Sequence, residues 1–313
     1  MSKKALYLLG ILLTILIGMF FYWKYCCNAD CCGDKDAEDN VVQTDVDDGA
    51  TTKTKLATSN PFAFSDGDFS VNSNDNFNFD TSGFSFIRPV SDGVNGGIDE
   101  LQLYLGANEN KAVNITGLYT SGEQNTSAFP NLGMARANDV KNYFITKGIP
   151  SNRMNLFGKL DNELVPEGSL FKGPLAFAIV TASEDSASAE KAELDALRAK
   201  LQADPLILNF ATGETSINLS AEQRQKIADI ARYLDKADGG KAIVTGHTDS
   251  SGSREGNITI GQQRADFAKG YLVSNGIADA KIEATSMGPD KPIASNATEE
   301  GKAQNRRTVV TVN

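Results

Sequence analysis

The sequence predicts two tandem copies of a small α/β two-layer sandwich, each with the element order β-α-β-α-β-β, preceded by one N-terminal transmembrane helix. Three observations predict this fold class: an uncharged apolar run near the N-terminus, an internal repeat with a nearly constant offset, and alternating strand and helix patterns inside each repeat. A chain of 313 residues has room for two modest domains and additional segments. A hydrophobic content of 41% is enough to form their cores.

The charge balance and the rare residue types argue against several function classes. The 40 acidic and 30 basic side chains give a net charge of −10, whereas a nucleic-acid partner requires a basic surface. The single histidine argues against a histidine-based metal site and against a Ser-His-Asp triad. We therefore expect no cofactor, no metal and no nucleic-acid partner.

A transmembrane helix is predicted near the N-terminus. The nineteen residues from Ala5 to Trp23 carry no charge, and at 1.5 Å per residue they span most of a hydrocarbon core of about 30 Å. Lys3 and Lys4 precede the run and an acidic stretch follows it, so the positive-inside rule places the N-terminus in the cytoplasm and the rest of the chain outside. Residues 1–25 are predicted to be a cytoplasmic tip and a transmembrane anchor.

Two alternatives to a retained anchor are a cleaved signal peptide and a lipoprotein. Both require small residues before the processing site. The run instead ends in the bulky residues Phe20, Phe21, Tyr22 and Trp23, and Trp-Lys-Tyr precedes Cys26. The sequence therefore favours a retained helix over either alternative.

Residues 26–60 are predicted to form an acidic, flexible stalk. The stalk begins with two adjacent cysteine pairs, Cys26-Cys27 and Cys31-Cys32. Their spacing does not fit the C-x-x-C ligand pairs of a zinc site. In an oxidising compartment they could form local or intermolecular disulfides, and the alternative is that they have no special role.

Two long segments of the chain are similar to each other, with matching residues 128–131 positions apart. The matched pairs are Asn78-Phe79 with Asn209-Phe210, Tyr104-Leu105 with Tyr233-Leu234, Gly117 with Gly246, Gly133 with Gly261, Arg136-Ala137 with Arg264-Ala265, and Gly148-Ile149 with Gly276-Ile277. Residues 61–182 and 205–313 are therefore predicted to be two copies of one domain. A helical spacer is predicted at 183–204, with its three leucines on one face: Leu194, Leu197 and Leu201.

The first helix of the second copy has a clear start signal. Ser220 and Gln223 form a capping-box signature, and the apolar residues that follow form one stripe, consisting of Ile227, Ile230 and Leu234. This pattern predicts an amphipathic helix that packs on a sheet.

A second helix of this copy is expected from about Ile260 to Ser274, with Phe267 and Tyr271 apolar at i and i+4. Strands are expected at 206–210, 242–245, 282–286 and 308–312. These elements predict helices on one face of a mixed sheet.

Three ordered motifs lie in the second copy. They are Gly246-His247-Thr248-Asp249-x-x-Gly252, Asn257-x-x-Ile260-Gly261-x-x-Arg264-Ala265, and Asn305-Arg306-Arg307 followed by a strand. Residues 205–313 thereby resemble the OmpA-like C-terminal domain, the peptidoglycan-binding module of outer-membrane porin-type proteins, peptidoglycan-associated lipoproteins and flagellar stator subunits. One departure is Gly261, where the family usually has serine at the helix start.

The resemblance implies a binding site for the diaminopimelate residue of the peptidoglycan stem peptide. The family's aspartate and arginine that hold this residue fall on Asp249 and Arg264, and the family's asparagine before the second helix falls on Asn257. Thr248 and Arg306 complete the predicted site. Diaminopimelate carries an ammonium and a carboxylate on one carbon, which suits a neighbouring anion and bidentate cation. The alternative is that Asp249 and Arg264 pair only with each other.

The first copy resembles the same family only weakly. Its aspartate position falls on Thr120 or Ser121, its asparagine position is Phe129, and Leu175-Ala176 stands in place of the two arginines. Only Arg136 remains of the predicted site. We therefore expect this degenerate copy not to bind diaminopimelate.

The predicted function is that of a membrane-anchored, non-enzymatic protein that tethers the membrane, or a membrane complex, to peptidoglycan. The alternative is a structural subunit of a motor or secretion complex whose domains mainly bind protein partners. No carboxylate or other charged residue lies between Ala5 and Trp23, which argues against ion conduction. The only candidate acid near the motif is Asp249, and its partner is an arginine, which argues against an enzyme. Expected partners are peptidoglycan, the membrane through one helix, and a homodimer or larger envelope complex, with both domains in the bacterial periplasm.

Overall fold

The structure is a computed structural model that describes residues 56–209 and 218–313. The predicted transmembrane helix, the cysteine pairs and most of the predicted stalk lie outside these ranges. Within the described ranges, no helix is both long and apolar enough to cross a membrane. We call residues 56–182 the N-terminal lobe, and residues 183–209 with 218–313 the C-terminal lobe.

The N-terminal lobe contains seven strands and two long helices within the described residues. The elements are β1 (Phe62–Asp66), β2 (Phe69–Ser73), β3 (Phe79–Asp80), α1 (Asp92–Ala107), β4 (Lys111–Tyr119), α2 (Leu132–Thr146), β5 (Met154–Leu160), β6 (Leu170–Phe171) and β7 (Leu175–Thr181). The main sheet has three strands in the order β5-β4-β7, in which β4 is parallel to β5 and antiparallel to β7. Two antiparallel pairs, β1–β2 and β3–β6, accompany this sheet.

The C-terminal lobe contains four strands and four α-helices within the described residues. The elements are α3 (Glu184–Ala203), β8 (Leu206–Leu208), α4 (Ala221–Lys236), β9 (Ala242–His247), α5 (Arg254–Ser274), β10 (Ile282–Gly288), α6 (Glu299–Asn305) and β11 (Thr308–Val312). The strands form one sheet with the order β10-β9-β11-β8. Strand β10 is parallel to β9, and β11 is antiparallel to both β9 and β8.

The two sheets share a topology. The order β5-β4-β7 and its strand directions match those of β10-β9-β11, and in each lobe a long helix follows the middle strand. That helix approaches the strand closely through two glycines, because a Cβ on Gly117 would overlap the carbonyl of Gly133 and a Cβ on Gly246 would overlap the carbonyl of Gly261. This agreement supports the predicted repeat, which stays a prediction.

Helix α5 corrects two expectations. It begins at Arg254 with Ser253 as its N-cap, not near Ile260, so Asn257 lies in its first turn instead of before it. Gly261 is therefore inside the helix, where it packs on the middle strand and does not serve as a cap.

The apolar face of α5 also differs from the expected one. Ala265, Ala268 and Leu272 face the core, whereas Phe267 and Tyr271 are more exposed. The close contact at Gly261 turns the small residues toward the sheet. Larger side chains on that face would hold the helix away from the strand.

The element order β-α-β-α-β-β is also incomplete for this lobe, since the short helix α6 lies between β10 and β11. The expected first strand, 206–210, is shorter in the structure and ends at Leu208.

Two helix predictions are confirmed. Helix α4 begins with both hydrogen bonds of the capping box, from Gln223 N to Ser220 Oγ and from Ser220 N to Gln223 Oε1. The leucine face of α3 packs on the core of the C-terminal lobe, with Leu201 fully buried.

The two lobes contact each other through α2 and the segment before it on one side, and through α4 and the end of α5 on the other. Lys141 of α2 forms an ion pair with Asp235 of α4, with 2.6 Å between Nζ and Oδ2. Asn275 Oδ1 accepts from the N–H of Ala128 at 2.9 Å, and Phe129 packs within the core of the C-terminal lobe. The N-terminal lobe therefore contributes residues to its neighbour's core.

Candidate functional site

Asp249 lies in the loop between β9 and α5, and its carboxylate is almost fully buried. Oδ1 accepts from the N–H of Ser251 at 2.9 Å, and Oδ2 accepts from Arg306 Nη1 at 2.8 Å. Burial raises the pKa of this carboxyl, but the hydrogen bonds from Arg306 and Ser251 outweigh burial and hold the pKa below its usual value. Asp249 is therefore an anion at neutral pH.

Arg264 lies in the third turn of α5 and is half-buried. Its Nη1 donates to the carbonyl oxygen of His247 at 2.9 Å. Its other N–H groups make no hydrogen bond within the described parts of the chain. Burial and the charge of Arg306 lower the pKa of Arg264, whereas the charge of Asp249 raises it. The guanidinium is thus held by the carbonyl of His247, within electrostatic range of Asp249, and has unused donors.

The two predicted site residues do not form an ion pair with each other. The described ion pair of Asp249 is with Arg306, which follows α6 and is 57 positions away in sequence. The interpretation in which Asp249 and Arg264 pair only with each other is therefore wrong for this structure. The fold instead groups one carboxylate and two guanidinium groups.

The two adjacent arginines after α6 have different positions. Arg306 contacts Asp249, whereas Arg307 is buried and its Nη2 donates to the carbonyl of Lys291 at 3.1 Å. Asn305, to which the sequence analysis gave no role, is fully buried. Its Oδ1 accepts from the N–H groups of Ile293 and Ala294 at 2.8 and 3.1 Å. Asn305 therefore holds the loop before α6, and its place in the Asn-Arg-Arg motif was the signal for it.

Asn257 and Thr248 are brought to the same region, but both are buried. Asn257 Nδ2 donates to the carbonyl of Ser251 at 2.9 Å, so this side chain braces the loop that carries Asp249. Thr248 donates through its backbone N–H to Gly288, and its Oγ1 has no hydrogen-bond partner within the described ranges. The geometry gives both residues a part in shaping the loop.

His247 is the last residue of β9 and is buried. Burial and the nearby charge of Arg307 lower its pKa to about 4, so the ring is neutral at pH 7. Its Nδ1 makes no hydrogen bond within the described ranges. His247 contributes its backbone carbonyl to the site by accepting from Arg264.

Arg136, the predicted remnant of the site in the N-terminal lobe, has different surroundings from those of Arg264. Arg136 is fully buried and donates from Nη1 to the carbonyl of Leu118 at 2.8 Å, as Arg264 does to His247. Glu123, which the sequence analysis missed, forms an ion pair with Arg136 at 2.5 Å. The arginine of this lobe therefore already has a carboxylate partner. Glu123 lies three positions after Thr120, and no sequence motif indicated that it would pair with Arg136.

Residues 209–306 match the OmpA family. The chain is 36% identical over 113 residues to the probable lipoprotein YiaD of Escherichia coli K12, covering 35% of this chain and 52% of that relative. It is 33% identical over 141 residues to the peptidoglycan-associated lipoprotein of Pseudomonas putida, covering 45% of this chain and 78% of the relative.

Among solved structures, the peptidoglycan-associated lipoprotein from Burkholderia pseudomallei is 31% identical, with 34% of this chain and 89% of that chain covered and a TM-score of 0.29. The chain spans about half the length of the first relatives that it matches. The family match covers the loop of Asp249, helix α5 with Arg264, and Arg306. Through its C-terminal lobe, the chain belongs to the OmpA family.

Proposed function

We propose that the chain is a non-enzymatic peptidoglycan-binding protein whose C-terminal lobe holds the diaminopimelate of the stem peptide between Asp249 and Arg264. The observation that carries this proposal is the half-buried guanidinium of Arg264, which has unused donors and lies near enough to the buried carboxylate of Asp249 for the two charges to interact. A carboxylate of the ligand fits the guanidinium, and an ammonium fits Asp249. The names of several relatives support peptidoglycan as the binding partner, since they are peptidoglycan-associated or peptidoglycan-binding proteins.

The arrangement suits binding more than catalysis. The carboxylate of Asp249 is engaged by Arg306 and Ser251, and its pKa is lowered, so it is a poor general acid or base at neutral pH. A fixed anion next to a fixed cation recognises a zwitterion without changing it.

The proposal includes two features from the sequence. The apolar run from Ala5 to Trp23 would anchor the chain in the membrane, with both lobes in the periplasm, and the acidic stalk would span the distance to the wall. Residues 61–182 would be a degenerate second copy of the domain, a proposal that the shared sheet topology and the two glycine contacts support.

The test is co-sedimentation of the full-length chain with purified diaminopimelate-type peptidoglycan. We expect Asp249→Ala and Arg264→Ala each to weaken binding by about 10-fold or more, because each leaves one charge of the ligand unpaired. Arg232→Ala is the matched control, since Arg232 is an exposed arginine on α4 that pairs with Glu193. It should bind as the unmodified chain does.

Ligand chemistry gives a second arm to the test. Soluble fragments with diaminopimelate should compete with the wall, whereas fragments with lysine, which lacks the second carboxylate, should compete at least about 10-fold less well. Equal competition by both fragments, or full binding by both site variants, would contradict the proposed site and favour protein partners for this lobe.

A further inference from the structure

The buried Glu123 carboxylate has the surroundings of a bound ligand. It accepts from both terminal nitrogens of Arg136, at 2.5 Å from Nη2 and 3.4 Å from Nη1. It also accepts from the backbone N–H of Thr120 at 2.8 Å and from that of Ser82 at 3.0 Å. Donors from three separate parts of the chain thus converge on one carboxylate, whose side chain is 2% exposed.

The guanidinium is held in place without the help of Glu123. Arg136 donates from Nε to the carbonyl of Gly83 at 2.9 Å and from Nη1 to that of Leu118 at 2.8 Å. The rings of Phe79 and Phe171, from the paired strands β3 and β6, lie 5.3 and 5.4 Å from it. Because these contacts orient the guanidinium, it presents a preformed fork to whatever carboxylate lies in front of it.

Ser82 contacts both the carboxylate of Glu123 and the loop that carries it. Ser82 has a φ of 61°, an unfavourable conformation for a residue other than glycine, and its N–H donates to Glu123. Its Oγ accepts from the N–H of Gln124 at 2.9 Å, next to Glu123. The strained residue therefore places one donor on the carboxylate and binds the loop that carries the carboxylate.

We propose that the N-terminal lobe contains a carboxylate-binding site filled by the chain's own Glu123, and that this site, when emptied, binds a small free carboxylate such as acetate. Arg136 is the counterpart of Arg264, since both donate to the carbonyl of the residue that follows the glycine of the middle strand. An internal ligand therefore keeps this lobe from binding the wall, a consequence that rests on the function proposed above.

The test is chemical rescue of Glu123→Ala in the full-length chain, read out by thermal unfolding. The substitution leaves Arg136 buried and unpaired, so we expect the Tm to fall by about 5–15 °C in chloride. Acetate at constant ionic strength should raise it again by about 3–6 °C at ten times its dissociation constant, with a saturable dependence on concentration. The unmodified chain should show no such response.

Two variants serve as controls. Glu123→Gln fills the same space without a negative charge, so it should be destabilised and should not respond to acetate. Glu167→Ala removes an exposed carboxylate that pairs with Lys172, and it should change little in either salt. Neither control alters Arg136.

The outcomes separate cleanly. Equal responses of Glu123→Ala to acetate and chloride, or an acetate response in Glu123→Gln, would overturn the proposal. If Glu123→Ala fails to fold in chloride, refolding in acetate supports it and failure in both salts overturns it. The readout uses no peptidoglycan, so it is independent of the test of the C-terminal lobe.

Discussion

Arg136 in the N-terminal lobe and Arg264 in the C-terminal lobe have matching positions on the helix that follows the middle strand, each three residues after the helix glycine that approaches that strand. Each donates from Nη1 to a carbonyl of the middle strand, to Leu118 at 2.8 Å and to His247 at 2.9 Å. Arg136 is fully buried and bound to Glu123, whereas Arg264 is half-buried with unused donors. Matching backbone carbonyls thus position one guanidinium that is paired within the chain and one that has unused donors.

The loop after the middle strand determines whether the arginine has a carboxylate partner within the chain. In the N-terminal lobe, the N–H of Thr120 donates to Glu123. The counterpart of Thr120 is Asp249, whose own N–H makes no hydrogen bond within the described ranges. The loop of the N-terminal lobe thus provides a carboxylate partner for its arginine, whereas Asp249 in the C-terminal lobe is paired with Arg306.

The largest expected difference between the lobes is in the stability cost of losing the arginine. Arg136→Ala should lower the free energy of unfolding by about 3–5 kcal/mol, because it leaves the buried Glu123 carboxylate unpaired. Arg264→Ala should lower it by only about 1 kcal/mol, since one hydrogen bond at a half-exposed position is lost. Urea denaturation at neutral pH measures both. Equal losses would mean that both arginines are structural.

The second difference is a histidine-linked pH dependence, which only the C-terminal lobe can have because His247 is the chain's single histidine. The folded-state pKa of His247 is about 4 against a usual value of 6.5, so the unfolded state binds the proton first as the pH falls. The stability that neutral His247 contributes is complete above pH 6.5 and is lost toward pH 4, by up to about 3 kcal/mol.

The control for this prediction is His247→Leu, which copies Leu118 of the other lobe. Carboxylates titrate in both proteins and cancel in the difference between the two stability curves, and the chain has no other histidine. A difference that stays constant between pH 7 and pH 4 would contradict the lowered pKa of His247.

The glycine contacts allow a test of whether the helix approaches the middle strand in the same way in both lobes. Gly133→Ala and Gly261→Ala should each lower the free energy of unfolding by about 1–3 kcal/mol, because a Cβ would overlap the carbonyl of Gly117 in one and Ser286 Oγ in the other. Gly270→Ala, in open space on α5, should instead raise it by about 0.5–1 kcal/mol. If only one of the two tight positions is sensitive, the helices approach their strands differently.

The smallest expected effect concerns the N-caps of α1 and α4, the helices that precede the middle strand of each sheet. Ser220 forms a complete capping box with Gln223, so Ser220→Ala should cost about 1 kcal/mol in urea denaturation. Ser91 caps α1 through one longer hydrogen bond, at 3.4 Å, and Ser91→Ala should cost less. The reverse order would indicate that packing outweighs capping in these helices.

Much of the C-terminal lobe could be predicted because its signals are local. The capping box of α4, the leucine face of α3 and the strands β9, β10 and β11 follow from residues within a few positions of one another. The predicted start of α5 was wrong because the N-cap, Ser253, precedes the apolar residues on which the prediction depended. Its core face was wrong because the contact between Gly246 and Gly261 joins two separate elements, and no periodicity within the helix reveals it.

The sequence alone determined the family, the position of Asp249 just after β9 and of Arg264 on the helix that follows, and the presence of Arg136 at the matching place. Only the tertiary structure decided the partner of each charge. Arg306 reaches Asp249 across 57 positions, and Glu123 reaches Arg136 from a loop with no motif. The physical reason is that an ion pair depends on where loops bring charged atoms within about 3 Å of each other, and packing between distant segments sets those positions.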